Sequence, residues 1–156
     1  NTRPILGCIA HPPSEITWAG GSEIGAYKKN NKGDFVKINC RDIPEEGPSI
    51  AISKHHIGPK LEKWLSSINF INKLKVGRAI KFTLIAEGKA DIFPRTSPTY
   101  EWDSAAGEAI IQGSRGHVTQ MNGENMVYGR EDKKNPNFIA FGRPNWGKFL
   151  KGNNSG

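Results

Sequence analysis

Between residues 5 and 39 the chain alternates apolar and polar positions in short runs broken by turn residues. The runs 5–11, 15–19, 24–27 and 35–39 are separated by Pro12-Pro13, by Gly20-Gly21 and by Asn30, Asn31, Lys32 and Gly33. Period-two alternation bounded by Pro, Gly and Asn predicts strands, and strands so closely spaced form an antiparallel meander. The pattern changes after residues 41–48, a Pro- and Glu-rich stretch that reads as a linker. Beyond it, strand patterns at 49–53, 90–93, 117–120 and 137–141 alternate with helical ones. Residues 59–68 form an amphipathic helix with Leu61, Trp64 and Leu65 on one face, and 79–87 a second helix. A third helix, 102–112, turns Trp102, Ala105, Ala106, Ala109 and Ile110 toward the core, while its small Ser104, Ala105 and Ala106 allow close approach to a sheet. Such alternation predicts a mixed α/β layer, so the expected class is α+β: a meander over 1–44, an α/β domain over 45–144 and a flexible, fraying tail over 145–156. Standing alone, the meander leaves an apolar face and two edge strands in need of cover.

At 156 residues and 36% hydrophobic content the chain can bury a core, and no apolar run approaches bilayer-spanning length. Its two cysteines, Cys8 within an apolar strand and Cys40 at the end of another, read as free thiols of a reducing, cytoplasmic compartment. The net charge of +7 raises nucleic acid as a partner. However, the basic residues are scattered as Lys28-Lys29, Lys73 and Lys75, and Lys133-Lys134, with no recognition helix, aromatic strand signature or zinc spacing beside them. A small anionic substrate suits that charge, and nucleic acid is not expected.

Candidate chemistry concentrates between Gly88 and Glu108. A strand over 90–93 ends in Pro94 and Arg95, and a loop then leads to Asp103 at the start of the third helix. A guanidinium able to fork onto phosphate oxygens and a carboxylate able to hold a hard cation reach one edge of a sheet. Taken singly, Asp103 reads as a helix cap, Lys81 and Arg95 as solvated cations, and the pair His55-His56 as an exposed strand end.

The order and spacing of these residues resemble the third signature of the magnesium-dependent, lithium-sensitive phosphomonoesterase superfamily that includes inositol monophosphatase. Within it, the 3′(2′),5′-bisphosphate nucleotidase branch is the nearer match. The resemblance spans residues 4–142, with matching blocks at 4–12, 25–27, 52–56, 81–88, 102–107 and 137–142, of which 102–107 (Trp-Asp-Ser-Ala-Ala-Gly) is the most specific. It implies a layered sugar-phosphatase fold whose N-terminal sheet the 1–44 meander completes. The superfamily's Gly-Glu-Glu loop and Asp-Pro-x-Asp-Gly-Thr turn do not occur, and the chain opens on Asn1 without Met. The resemblance therefore implies the C-terminal portion of a longer enzyme, inactive alone, whose partner is the missing N-terminal half.

By resemblance, Asp103 ligates Mg²⁺, two or three such ions serving the complete site. Lys81 and Arg95 grip the phosphate that is not cleaved, and His56 lies near the nucleotide. Arg78 stands three positions before Lys81, where the nucleotidases carry a small hydroxyl residue, and is followed by Ala79. A substituted arginine there tells against bisphosphate nucleotides relative to inositol phosphates. No catalytic residue is assigned to the chain, and Glu101 and Glu108 read as helix surface. The implied reaction converts 3′-phosphoadenosine 5′-phosphate to AMP and phosphate, within sulfur metabolism. The alternatives are inositol monophosphatase activity and a non-catalytic anion-binding fragment.

Overall fold

The computed structural model describes residues 2–54, 57–77 and 79–152. The meander forms as expected: β1 (Gly7–His11), β2 (Ile16–Gly21), β3 (Gly25–Lys29) and β4 (Phe35–Ile38) make a four-stranded antiparallel sheet in sequence order, with β1 and β4 at its edges. Beyond the linker come β5 (Ser49–Ser53), α1 (Pro59–Ser66), β6 (Asn72–Val76), α2 (Ile80–Ala86), β7 (Ile92–Arg95), α3 (Glu101–Gly113), β8 (His117–Gln120) and β9 (Phe138–Phe141). These strands form a second sheet, ordered β6-β5-β7-β9-β8, parallel across β6, β5 and β7 and antiparallel elsewhere. The class is α+β, and no helix among the described residues is long and apolar enough to cross a membrane.

Helix α3 packs against β1, β2 and β3 on one side and against α2 on the other, while α2 contacts β5, β7 and β9, so the two helices lie between the sheets. Small residues permit the approach. A side chain at Gly7 would collide with the Ala106 backbone, and one at Gly107 with the Phe82 ring. Strand alternation divides the second sheet between two cores. Ala51, Phe93, Phe138 and Ala140 face α2 and α3, whereas Ile50, Ile52, Ile92, Ile139 and Phe141 pack with Leu61 and Leu65 of α1. Phe35, Val36, Cys8 and Ala10 of the first sheet remain exposed, and both cysteines are free thiols, Cys40 being buried.

Several elements depart from the sequence pattern: β1 starts at Gly7 and not at residue 5, and β2 runs on through Gly20 and Gly21, which pair with Ala26 and Gly25 of β3 where a turn was expected. Strand β6 was not anticipated, because Lys73 and Lys75 read as scattered surface charge; they ride an edge strand, where lysine discourages pairing with another chain. Strand β7 begins two residues later than expected, at Ile92, and runs on to Arg95; just before it the Asp91 N–H donates to the Ser49 carbonyl and the Asp91 carboxylate pairs with Arg41. Residues 145–150, within the stretch expected to fray, are held down. Pro144–Phe149 forms a 3-10 turn, Trp146 sits 6.1 Å from Trp64 and 6.0 Å from Phe141 between ring centroids, and Leu150 bridges to Ile68.

Candidate functional site

The parallel partners β5 and β7 pair at Ile50 and Ile92. Pro94, which has no N–H to donate, follows on β7, and the two strands end at Ser53 and Arg95. Here the Arg95 Nη1 donates to Ser53 Oγ at 3.2 Å. This carboxyl end of parallel strands opens into a cleft of about 580 Å³ whose lining includes Ser53, Lys81, Arg95, Trp102 and Asp103 over Phe82, Phe93 and Phe138. A second chamber of about 340 Å³, running toward Pro59 and Leu61 at the start of α1, shares Ser53, Arg95 and Pro98 with the first. Lys81, Arg95 and Asp103, singled out from three separated stretches of chain, thus line one cavity. His56 and Arg78 lie outside the described residues.

Each cation is held from below. Lys81, in the first turn of α2, is 3% exposed; its Nζ donates to the Val76 carbonyl at 3.4 Å and stands 5.2 Å from the Phe93 ring centroid. Burial first, then repulsion from Arg95, brings its amine down to about 8. Burial also lowers Arg95, against the attraction of Asp103, but a guanidinium stays charged at any physiological pH. The Arg95 Nε is buried without a hydrogen-bond partner among the described residues.

Asp103 is the third residue of α3, not its cap residue. Its carboxylate turns back to accept the Tyr100 N–H at 2.8 Å, while its own N–H donates to the Tyr100 carbonyl at 2.9 Å. The capping task expected of Asp103 is therefore done from one turn inside the helix. Trp102, assigned to the core by periodicity, is instead 69% exposed and stacks on Tyr100 with centroids 4.7 Å apart, at the mouth of the cleft. It falls in the first turn, beyond the reach of the sheets that bury the rest of the helix. Neither Trp102 nor Ser53 was picked out as a site residue, and an aromatic in a first helical turn is the signal that would have found the former. Asn135 pins this corner, its Nδ2 lying 2.6 Å from the Tyr100 carbonyl, 2.9 Å from Ser104 Oγ and 3.2 Å from Thr99 Oγ1.

Glu108 corrects the surface assignment: it is 2% exposed. It sits on the helical stripe four residues beyond Ser104, beneath the loop that carries Tyr128. The Tyr128 hydroxyl donates to its Oε2 at 2.6 Å and the Gln112 amide to its Oε1 at 2.9 Å. Burial outweighs these bonds and the attraction of Arg3, and lifts the carboxyl from 4.5 to about 7. Glu101 is half-buried, its Oε1 accepting the Arg130 N–H at 2.8 Å. Because folding raises the Glu108 value, the folded state prefers the proton. The associated stability is complete below pH 4.5 and lost as pH rises through 7. Glu108→Gln should therefore be more stable than the parent at pH 8, by up to roughly 3 kcal/mol, with the advantage shrinking toward pH 4.5. Urea unfolding across that range measures it, and a pH-independent difference would show that Glu108 does not titrate there.

Magnesium asks for several oxygen ligands. Among the described residues no three His, Cys, Asp or Glu side chains gather as a metal cluster, and Asp103 is the one carboxylate lining the cleft. The described residues do not by themselves fit such a centre. What they line the cleft with is two cations, a hydroxyl and apolar walls.

Comparisons with known proteins place the chain by family and fold. The model of the inositol monophosphatase family matches residues 1–143. The 3′(2′),5′-bisphosphate nucleotidase CysQ of Buchnera aphidicola is 37% identical over 125 residues, 80% of this chain and 46% of that protein. CysQ of Escherichia coli K12 is 32% identical over 137 residues, 87% of this chain and 54% of the relative. Among solved structures, CysQ from Bacteroides thetaiotaomicron superposes with a TM-score of 0.81 at 30% identity, covering 91% of this chain and 59% of that one. Mycobacterium tuberculosis SuhB, at 16% identity and a TM-score of 0.69, shares the fold. The chain spans about half the length of these curated relatives.

Proposed function

Because this chain belongs to the inositol monophosphatase family, we propose that it is the substrate-gripping half of a phosphomonoesterase for a small bisphosphate nucleotide. The expected substrate is 3′-phosphoadenosine 5′-phosphate and the products are AMP and phosphate. The observation that carries this reading is the convergence of Lys81, Arg95 and Asp103 on one cleft at the ends of β5 and β7. The names of the CysQ relatives supply the substrate class.

In this reading Arg95, braced by Ser53, and Lys81 hold the phosphate that is not cleaved. The chamber toward α1 leaves room for sugar and base, and His56 and Arg78 join this grip on sequence position alone. A bidentate guanidinium beside a point-charge amine suits a tetrahedral anion, and the aromatic floor excludes water that would weaken both contacts. The reaction is magnesium-dependent, with Asp103 the one ligand contributed from the described residues. Further carboxylates belong to the part of the relatives' length that it does not span. Free thiols at Cys8 and Cys40 fit a reducing, cytoplasmic setting.

The test is a split in KM. In a complete enzyme, Lys81→Ala and Arg95→Ala should each raise KM for the bisphosphate about 10- to 100-fold, the worth of one charge-assisted contact, and for a monophosphate only a few-fold. Equal losses on both substrates would remove the assignment. Faster phosphate release from an inositol monophosphate than from the nucleotide would favour inositol monophosphatase activity instead. Anion binding without turnover in the complete enzyme would leave a binding fragment.

A further inference from the structure

Lys81 combines three features that rarely meet in one amine. It is 3% exposed, it lines a cleft of about 580 Å³, and its Nζ stands over the Phe93 ring at 5.2 Å. Phe82 and Phe138 extend that floor, with ring centroids 5.1 Å and 5.8 Å from Phe93. Along the same wall Arg95, bonded to Ser53, presents a fixed cation whose buried Nε has no hydrogen-bond partner among the described residues. The charged groups lining the cleft among the described residues are Lys81, Arg95 and Asp103. Burial and the Arg95 charge bring the Lys81 amine to about 8, so at pH 7.5 about a quarter of it is free base, against about one part in a thousand for an ordinary lysine. An apolar floor, a free-base amine and an adjacent anion anchor are what an anionic electrophile requires.

We propose that Lys81 is a modification site, its ε-amine condensing with small phosphate-bearing aldehydes whose phosphate seats on Arg95 and Ser53. The proposal rests on the reading of this cleft as a phosphate site. The neutral Nζ adds its lone pair to the carbonyl carbon, and the carbonyl π pair passes to oxygen. That oxygen takes a proton while nitrogen loses one, giving a carbinolamine. Departure of the hydroxyl as water, with the remaining nitrogen proton, leaves a C=N bond. One water is released and no oxidant or reductant takes part. The adduct fills the cleft with the reagent's own phosphate and so occludes it.

The probe is pyridoxal 5′-phosphate, applied to the 156-residue chain at pH 7.5, trapped with borohydride and mapped by peptide mass, with pyridoxal as the phosphate-free control. Lys81 should be the first lysine labelled, roughly tenfold faster with the phosphate than without it. Inorganic phosphate should slow that labelling, and Arg95→Gln should erase the preference for the phosphorylated reagent. The phosphate competition needs no variant and stands if Arg95→Gln fails to fold. Label spread evenly over exposed lysines such as Lys60 and Lys134, or equal rates with the two reagents, would overturn the proposal. AMP separates it from the functional reading. Lys81 labelling that phosphate blocks and AMP does not keeps the modification site and removes the nucleotide, whereas AMP binding with no label at Lys81 removes the modification site alone.

Discussion

The 156-residue chain on its own is expected to release no phosphate from 3′-phosphoadenosine 5′-phosphate in Mg²⁺, and mixing it with a polypeptide covering the unmatched N-terminal part of a CysQ relative is expected to restore release. The reason is ligand count. Asp103 offers one carboxylate, part of which is spent on the Tyr100 N–H, to an ion that sheds its hydration water reluctantly. Among the described residues no metal-binding cluster supplements it. The surfaces for reassembly exist: β1 and β4 are open edges, and Phe35 and Val36 are exposed on β4. In the restored enzyme Asp103→Asn should lower turnover by roughly 10³-fold, because a neutral amide holds more weakly the Mg²⁺ that would stabilise transition-state charge. Asparagine can still accept the Tyr100 N–H, so the helix start is kept and the loss reports on charge. Phosphate release measured before and after mixing decides the matter. Mg²⁺-dependent turnover by residues 1–156 alone, in a preparation shown by mass to hold no other polypeptide, would sink the idea.

Legibility in the sequence followed how local each signal is. The meander and the helix at α3 were readable because period-two runs between Pro and Gly turns, and a long stripe of small and apolar residues, are short-range patterns. Strand β6 was not, although Lys73-Leu74-Lys75-Val76 alternates between Asn72 and Gly77, because the run is short and its two lysines read as surface charge. Burial of Glu108 depends on Tyr128 and Gln112 closing over it, and Tyr128 is brought there by a loop twenty residues away. Lys81, Arg95 and Asp103 are candidates through a resemblance to known blocks, and the structure brings them to one cleft. Composition treats two of them as solvated cations, and what gathers them in one cleft is the ending of β5 and β7 side by side, a tertiary event.

Arg41→Ala is expected to cost about 3–5 kcal/mol of folding stability, the usual penalty for stranding a buried charge, and more than Asp91→Ala at the other end of the same pair. The Arg41 Nε and Nη2 donate to Asp91 Oδ1 and Oδ2 at 2.9 Å and 2.8 Å, and the Ser49 N–H donates to Oδ2 at 2.7 Å. The asymmetry comes from exposure: the Asp91 side chain is fully buried, whereas that of Arg41 keeps 37% of its surface in water. Removing Arg41 leaves a carboxylate that cannot hydrate. Removing Asp91 leaves a guanidinium that can swing outward, together with one unsatisfied N–H at Ser49, at about 1–3 kcal/mol. The double variant should therefore be more stable than Arg41→Ala alone, a non-additivity that urea unfolding of the three variants can resolve. A double variant whose loss equals the sum of the two singles would show the pair to be uncoupled. Ser49 opens β5 and Asp91 immediately precedes β7, so this pair clamps the near ends of the two strands whose far ends carry Ser53 and Arg95. Loosening the clamp should accordingly weaken anion binding in the cleft even at temperatures where the variant remains folded.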